Sequence, residues 1–412
     1  MMENSLGAEK GRQREVPLQP GLLEYTEKGN DGDGGRIKVT KFKSSIGISG
    51  AAEDGSSKLD DPGGRQGVSG ASTHLKVVGP AARRKAPGEF DIYFTKEYTK
   101  LNELIESGEA KFFEIKSKNG HITHSAIKRK IHTTVGGVRY YDLISPYGYG
   151  GPVIHEYTNR SELISEFNEC FSIYCANHNI VSEFVRFHPV FQNQKDVGSI
   201  YDTTYMRQTV GTDLKRFEDT FQNEFSRTAR TKVRKRLRDD RLSFHVERGF
   251  ENIEPFIEIY NKTMGRHEAT QFYYFDREYF YALKDQFRDD MMTISVRFEG
   301  RIIAMGLYFL SGDIIHDHLN GTDPDYLEFS PAYLLKYASM MWGVKNGYSL
   351  IHYGGGVSNA ADDPVLHFKK RFSKHTEFEF HIGKKIWNRK VYDELCKVRG
   401  MDKDRTFFPA YR

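Results

Sequence analysis

Aromatic residues almost vanish before position 90, and that break decides which part of this chain can fold into a packed core. Of 55 Trp, Tyr and Phe residues, only Tyr25 and Phe42 fall in the first 89 positions, which also hold 16 of the 38 glycines. Stretches such as GNDGDGG (29–35) and DPGGRQGVSGAS (61–72) carry neither a helix nor a strand period. They offer too little apolar surface to offset an ordering entropy of about 1–2 kcal/mol per residue. Residues 1–88 are therefore expected to be a disordered low-complexity tail, ending in the basic run Arg83, Arg84, Lys85. The 324 residues from Glu89 onward hold the other 53 aromatics and are long enough for two cores.

Several protein classes drop out at once. Three cysteines in 412 residues cannot build a disulfide framework. The longest apolar run, Ile302 to Leu310, has nine residues, against the roughly 20 that a spanning helix requires. Membrane insertion is therefore not expected. The opening residues lack the apolar centre of a secretory leader, so a cytoplasmic location is the expectation. Net charge is +4, too balanced to indicate nucleic acid from bulk charge.

Helices and strands alternate along the globular part. A helix is expected at 101–107, a hairpin over 111–127 around Asn119-Gly120, and strands at 138–145, 181–190 and 201–210. Asn159 followed by Glu162 opens a helix reaching about Asn177. In the second half one helix is expected over 214–240, a strand over 243–249 and a helix over 251–264. Three antiparallel strands with tight turns follow between 291 and 321. A helix then starts at Pro331, a strand spans 349–356, and a short helix spans 367–372. Hairpins mixed with helices indicate an α+β fold with mixed, mostly antiparallel sheets rather than a doubly wound parallel one.

Five features could carry chemistry. SPYGYGGP (145–152) is a rigid loop with open backbone, around Tyr147, Gly148 and Tyr149. Residues 227–241 carry eight basic side chains, and Arg227, Arg230, Arg234, Arg238 and Arg241 share one helical face. Such a row of guanidinium forks is either a solvated face or a site for phosphates, including an RNA backbone. His316 and His318 alternate along one strand with Asn320. They suit a polar cleft or a general base better than a metal, since no third ligand stands at a telling spacing. Ser330-Pro331 has the preferred residue types for a helix start, where an anion can bind. Tyr353 and the glycines 354–356 end a strand, and Lys369 follows at a distance suited to neutralising a phosphate or an oxyanion.

Taken in order, SPYGYGGP, SRTARTKVRKRL (226–237), HLNGTDPDYLEFSPAYLLKYASMMWGVKNGY (318–348), YGGG (353–356) and HFKKRF (367–372) resemble the Fem-like branch of the GNAT acyltransferase superfamily over about residues 90–400. The resemblance implies two GNAT-like halves, at 89–205 and 206–400, with a C-terminal extension at 401–412. It implies a transferase moving an acyl group onto an amine, with the donor in the splay between the strands near 313–321 and 349–353. It also implies stabilisation of developing charge by Lys369, with Tyr147 and Tyr149 on the acceptor side. The Gln/Arg-x-x-Gly-x-Gly/Ala phosphate loop usual in GNAT enzymes is replaced by DPDYLEFSPAYLL (323–335).

The leading expectation is a cytoplasmic N-acyltransferase, such as an N-acetyltransferase, taking its acyl group from acyl-CoA. Its acceptor would be an amino group of a small cell-envelope or sugar-nucleotide type molecule, and it would need no metal. Alternatives are an aminoacyl-tRNA-dependent peptidyltransferase acting on a peptidoglycan precursor, with tRNA as partner, and a non-enzymatic RNA-binding or scaffold protein. His318 is the first candidate base and His316 the second, while Lys369 or backbone N–H groups beside Gly321 would meet the oxyanion. Arg234, Arg238, Ser330 and Gly354, Gly355 and Gly356 complete the expected substrate-binding set.

Overall fold

The computed structural model describes residues 77–78, 91–266, 274–403, 405 and 407–412. The expected tail, 1–88, lies outside the described residues except for Val77–Val78.

Strands number thirteen in chain order among the described residues: β1 Val77–Val78, β2 Glu109–Ser117, β3 Gly120–Lys130, β4 Tyr141–Ile144, β5 Val153–Tyr157, β6 Ile180–Arg186, β7 Asp202–Asp213, β8 Leu242–Arg248, β9 Met291–Phe298, β10 Arg301–Ser311, β11 Ile314–Thr322, β12 Leu350–Gly354 and β13 Glu377–Ile386. They form one sheet in the order β1-β8-β9-β10-β11-β12-β7-β13-β6-β4-β3-β2, with β5 also on β3. A motif appears twice. In the first half an antiparallel run β2-β3-β4 leads through the helix Arg160–Asn177 to β6, parallel to β4. In the second, the run β8-β9-β10-β11 leads through the helix Pro331–Lys345 to β12, parallel to β11. β7 and β13 zip the two halves together. The architecture is the expected α+β arrangement of two GNAT-like halves, and the expected boundary at 205/206 falls inside β7.

Local chemistry explains most of these elements. Asn159 Oδ1 accepts the Glu162 N–H, capping Arg160–Asn177 as the spacing predicts. The β2–β3 turn falls at Lys118-Asn119, and Gly120 starts β3 with φ +145°. The single helix expected over 214–240 is instead broken. β7 runs to Asp213, Thr220–Glu224 is a short helix, and Phe225 is extended. Ser226 then caps Arg227–Leu237 through the Ala229 N–H. The cap wins because Phe225 is fully buried against Phe372 and Phe221, which fixes the chain direction there. Beyond the expected elements, the structure adds β5, β13 and the helices Arg277–Phe287 and Arg389–Val398.

Two interlocks tie the segment before β2 and the C-terminal residue into the sheet. Ile92 N–H donates to Ser311 Oγ on β10 at 2.8 Å, pulling the segment before β2 onto the second half. Arg412 grips Asp142 on β4 with both forks, at 2.6 and 3.0 Å. Among the described residues no helix is long and apolar enough to cross a membrane.

Candidate active site

β11 and β12 pair over only three positions, ending at His316 opposite His352. Past that point β11 continues for six residues while β12 turns away at Gly354 (φ +74°). The backbone edge of β11 that faced β12 is therefore left without a strand partner. On its other edge β11 carries a β-bulge: Tyr308 pairs with Asp317 and Leu307 with Leu319, so His318 is the extra residue. The opening between the parting strands is a cleft of about 100 Å³. Tyr147, Gly148, Tyr149, His316, His318, Tyr353, Gly354, Gly355, Gly356 and Lys369 all line it. So the sequence motifs 145–152, 316–318, 353–356 and 367–372, more than 200 residues apart at the extremes, converge on one space.

The first-half wall is held rigidly. Tyr98 Oη donates to the Tyr147 carbonyl at 2.6 Å, and Asn193 Nδ2 donates to the carbonyls of Gly150 and Pro152 at 2.7 and 3.1 Å. Burial pushes the Tyr147 hydroxyl up to about 12, and raises that of Tyr149 against the opposing charge of Arg207. Both are neutral hydrogen-bonding groups at working pH.

The glycine loop has three anchors. Lys369 Nζ donates to the Gly355 carbonyl at 2.8 Å. Arg207 Nη1 donates to the carbonyls of Gly356 and Ser358, each at 2.9 Å. Asp363 accepts the N–H groups of Val357, Ser358, Val365 and Leu366. A Cβ at Gly356 would lie 2.3 Å from Asp363 Oδ1, so only glycine fits this approach.

Charge is concentrated beside the loop. Lys336 forms a buried ion pair with Asp317, which also accepts from Asn320 Nδ2 at 2.7 Å. Burial lowers the Lys369 ammonium to about 8; Asp317 opposes that shift, and Lys336 and Arg207 add to it. Lys369 and Arg207 thus line the cleft with one carboxylate on β11, Asp317, whose charge Lys336 pairs from behind, an arrangement suited to an anion or a developing oxyanion.

The histidines behave differently from one another. His318 is packed among Phe309, Tyr147 and Tyr98, with Tyr279 Oη 3.2 Å from Nε2. Burial, then the neighbouring His316, pulls its imidazole down to about 3. His316 Nε2 lies 2.6 Å from Asp91 Oδ2. His352 Nε2 meets Thr209 Oγ1 at 3.0 Å, and burial holds its ring well below the ordinary range.

Asp91, His188 and His316 bring three possible ligand atoms within 4.8 Å of one another, all on buried residues. The bonds around His188 argue against an ion there. Its Nδ1 accepts the N–H groups of Val190 and Phe191 at 3.2 and 3.4 Å, so Nε2 carries the proton and faces Asp91 with an N–H rather than a lone pair.

Four expected substrate contacts fall elsewhere. Arg234 and Arg238 stand exposed on the basic helix and do not line the cleft. Arg234 lies over the Phe221 ring, whereas Lys232 lies over Tyr333 of the helix Pro331–Lys345 and Arg236 donates to the Glu328 carbonyl in the 3-10 turn before it. The apolar residues Phe225, Ala229 and Val233 of this segment are fully buried, and Leu237 is partly buried against the same core. Gly321 is roofed by the helix Glu254–Arg266, where a Cβ would lie 2.4 Å from Ile259, so it permits close packing rather than oxyanion binding. Ser330 adopts φ +50°, ψ +49° and makes no side-chain cap. The preceding 3-10 turn Pro324–Phe329 dictates that geometry, because Ser330 N–H closes it onto the Leu327 carbonyl.

Sequence reasoning missed Arg207, Thr209, Lys336, Asp363, Asp91 and His188. Lys336 was findable as the one charged residue inside the otherwise uncharged run 331–344. Asp363 was findable as an Asp-Pro start to the helix Pro364–Lys369. Asp91 has no local signal, since its partner lies 225 residues away.

Residues 223–370 match the acetyltransferase (GNAT) domain family. A two-halved sheet with its cleft at the parting of β11 and β12 is the architecture of a GNAT-type transferase. The chain is similar to members of the Fem-like branch of that superfamily. It is 26% identical over 211 residues to the UDP-N-acetylmuramoylpentapeptide-lysine N(6)-alanyltransferase of Weissella viridescens, covering 50% of this chain and 61% of that protein. It therefore spans less than two thirds of that relative's length. The crystal structure of FemX superposes with a TM-score of 0.57 at 14% identity, over 74% of this chain and 94% of FemX.

Proposed function

We propose that the protein transfers an activated aminoacyl group to a primary amine of a cell-envelope precursor, in the manner of the alanyltransferase it resembles. The observation that carries this reading is the convergence of Lys369, the glycine loop and the first-half tyrosines on the opening between β11 and β12. An ester-activated carbonyl seated there would meet the unpaired edge of β11 and the Lys369 ammonium as its oxygen becomes negative. Holding the amine beside it in one closed space can itself supply about 7–11 kcal/mol of the barrier reduction.

An aminoacyl ester is favoured over acyl-CoA as donor by the segment before the helix Pro331–Lys345. A CoA pyrophosphate is cradled by free N–H groups of a glycine-rich turn. Here the turn is the 3-10 segment Pro324–Phe329. The N–H groups of Asp325, Tyr326 and Ser330 are already bonded within it, and Pro331 has none. The basic helix beside it suits a longer polyanion, as an RNA-borne donor would be.

The test is a donor comparison with the full chain: alanyl-tRNA and acetyl-CoA, each with UDP-N-acetylmuramoyl-pentapeptide as acceptor. Formation of alanylated product, abolished by RNase, is the expected result. Product from acetyl-CoA alone would reverse the choice of donor. No product from either would return the protein to the binding or scaffold class.

A further inference from the structure

We propose that Asp91 and His316 form the proton-handling pair of this cleft, with His316 Nδ1 accepting the proton of the attacking amine and Asp91 positioning the ring. The inference rests on the aminoacyl-transfer reading and names the base that reading lacks.

The hydrogen bonds assign the tautomer. Asp91 is fully buried; burial alone would raise its carboxyl, but the contacts with His316, then with His188, and the Tyr93 N–H at 3.1 Å outweigh that and lower it. An ionised carboxylate only accepts, so the 2.6 Å contact is His316 Nε2–H donating to Asp91 Oδ2. The other ring nitrogen, Nδ1, is buried and has no hydrogen-bond partner, and in the neutral ring it holds the lone pair. Buried polar atoms are almost always satisfied, so an orphaned lone pair on a ring that lines the cleft is a place for a substrate's hydrogen.

Position supports the same role. His316 is the last residue of β11 still paired to β12, at the floor where the strands part. The other histidines are unsuited. His188 offers an N–H toward Asp91 at 3.9 Å and so steadies the carboxylate. His318 also lines the cleft with an unpartnered Nδ1, but its Nε2 meets the Tyr279 hydroxyl, not a carboxylate that could steady an imidazolium. His352 has its Nε2 against Thr209. Tyr93 and Tyr149 complete the ring of groups around the pair, both held neutral by burial.

The step balances as follows. The amine nitrogen attacks the ester carbonyl carbon and the C–N bond forms. The nitrogen's proton moves to His316 Nδ1. The C–O bond to the donor breaks with its electron pair on oxygen, and the imidazolium returns the proton to that oxygen. Ester plus amine gives amide plus alcohol, and His316 is regenerated.

The experiment combines single-turnover alanyl transfer, from alanyl-tRNA to UDP-N-acetylmuramoyl-pentapeptide, with ¹⁵N spectra of the imidazoles in the full chain. His316→Gln should lower kcat by about 10²-fold or more with KM little changed. Asp91→Asn should act in the same direction, Asp91→Glu should restore part, and the double variant should be no slower than His316→Gln alone. The wild-type spectrum should show His316 protonated at Nε2, a readout that survives if a variant fails to fold. Transfer by His316→Gln within about threefold of an active wild type overturns the pair and leaves the functional reading standing. A wild-type His316 protonated at Nδ1 also overturns it. A wild type that transfers nothing overturns the functional reading, and the pair with it.

Discussion

Lys369 shows how a single residue can be tuned by its surroundings. Its ordinary value of 10.5 falls to about 8 chiefly because burial disfavours the ammonium. If that charge meets the oxyanion, transfer falls as pH rises through about 8, and a pH profile of alanyl transfer should show that alkaline limb. The native state sheds this proton before the unfolded chain does, so Lys369 makes stability rise with pH between about 8 and 10.5. Lys369→Met should therefore cost about 10²-fold or more in kcat while leaving the thermal midpoint unchanged or raised. Gly356 makes a complementary prediction. Gly356→Ala places a methyl against Asp363 and should cost about 1–3 kcal/mol of stability by urea unfolding. Transfer should be slowed further, because Asp363 organises the loop that lines the cleft.

Among the elements, those whose signals are local were legible in sequence. The Asn159 cap, the β2–β3 hairpin (its turn one residue before the expected Asn119-Gly120) and the meander β9-β10-β11 each depend on neighbours within a few residues. The alternation of Glu377, Phe378, Glu379 and Phe380 carries the same kind of signal for β13, which was not among the expected elements. The long helix over 214–240 was misread because its apolar residues keep a helical spacing across a capped break at Phe225-Ser226. The basic helix packs through Ala229 and Val233, but Arg234 and Arg238 stand exposed and do not line the cleft. Their role is testable at this scale. Arg234→Ala with Arg238→Ala should leave acceptor KM unchanged and, with an RNA-borne donor, reduce the salt slope of donor binding by about 2. A fluorescence titration at several salt concentrations reads that slope, and an unchanged slope would remove this face from donor binding.

Across the whole molecule, one sheet joins two halves, and the cleft draws on both. The motifs at 145–152 and 353–372 announced themselves by composition, but nothing local could show that Asp91 reaches His316 or that Arg207 holds the glycine loop. Such contacts are consequences of strand order, which places β7 beside β12 and the segment before β2 against β10. The same burial has a global consequence. His188 and His318 are both held down to about 3 from an ordinary 6.5, with burial the main cause and Asp91 opposing it at His188. Between those values the unfolded chain binds protons that the native chain does not. Stability should therefore fall as pH drops below about 6.5, by up to about 1.4 kcal/mol per pH unit for each histidine. Urea midpoints at pH 7, 6 and 5 should fall in sequence, and His188→Gln should flatten the trend.

The central claim is that the acyl carbonyl is held where β11 and β12 part. A crystal structure with a non-hydrolysable amide analogue of an alanylated RNA end tests it directly. The account predicts the alanyl carbonyl beyond the His316–His352 pair, within hydrogen-bonding reach of Lys369. An analogue bound instead in the surface groove lined by Asn252, Glu258 and Asn261, with the cleft empty, would contradict it.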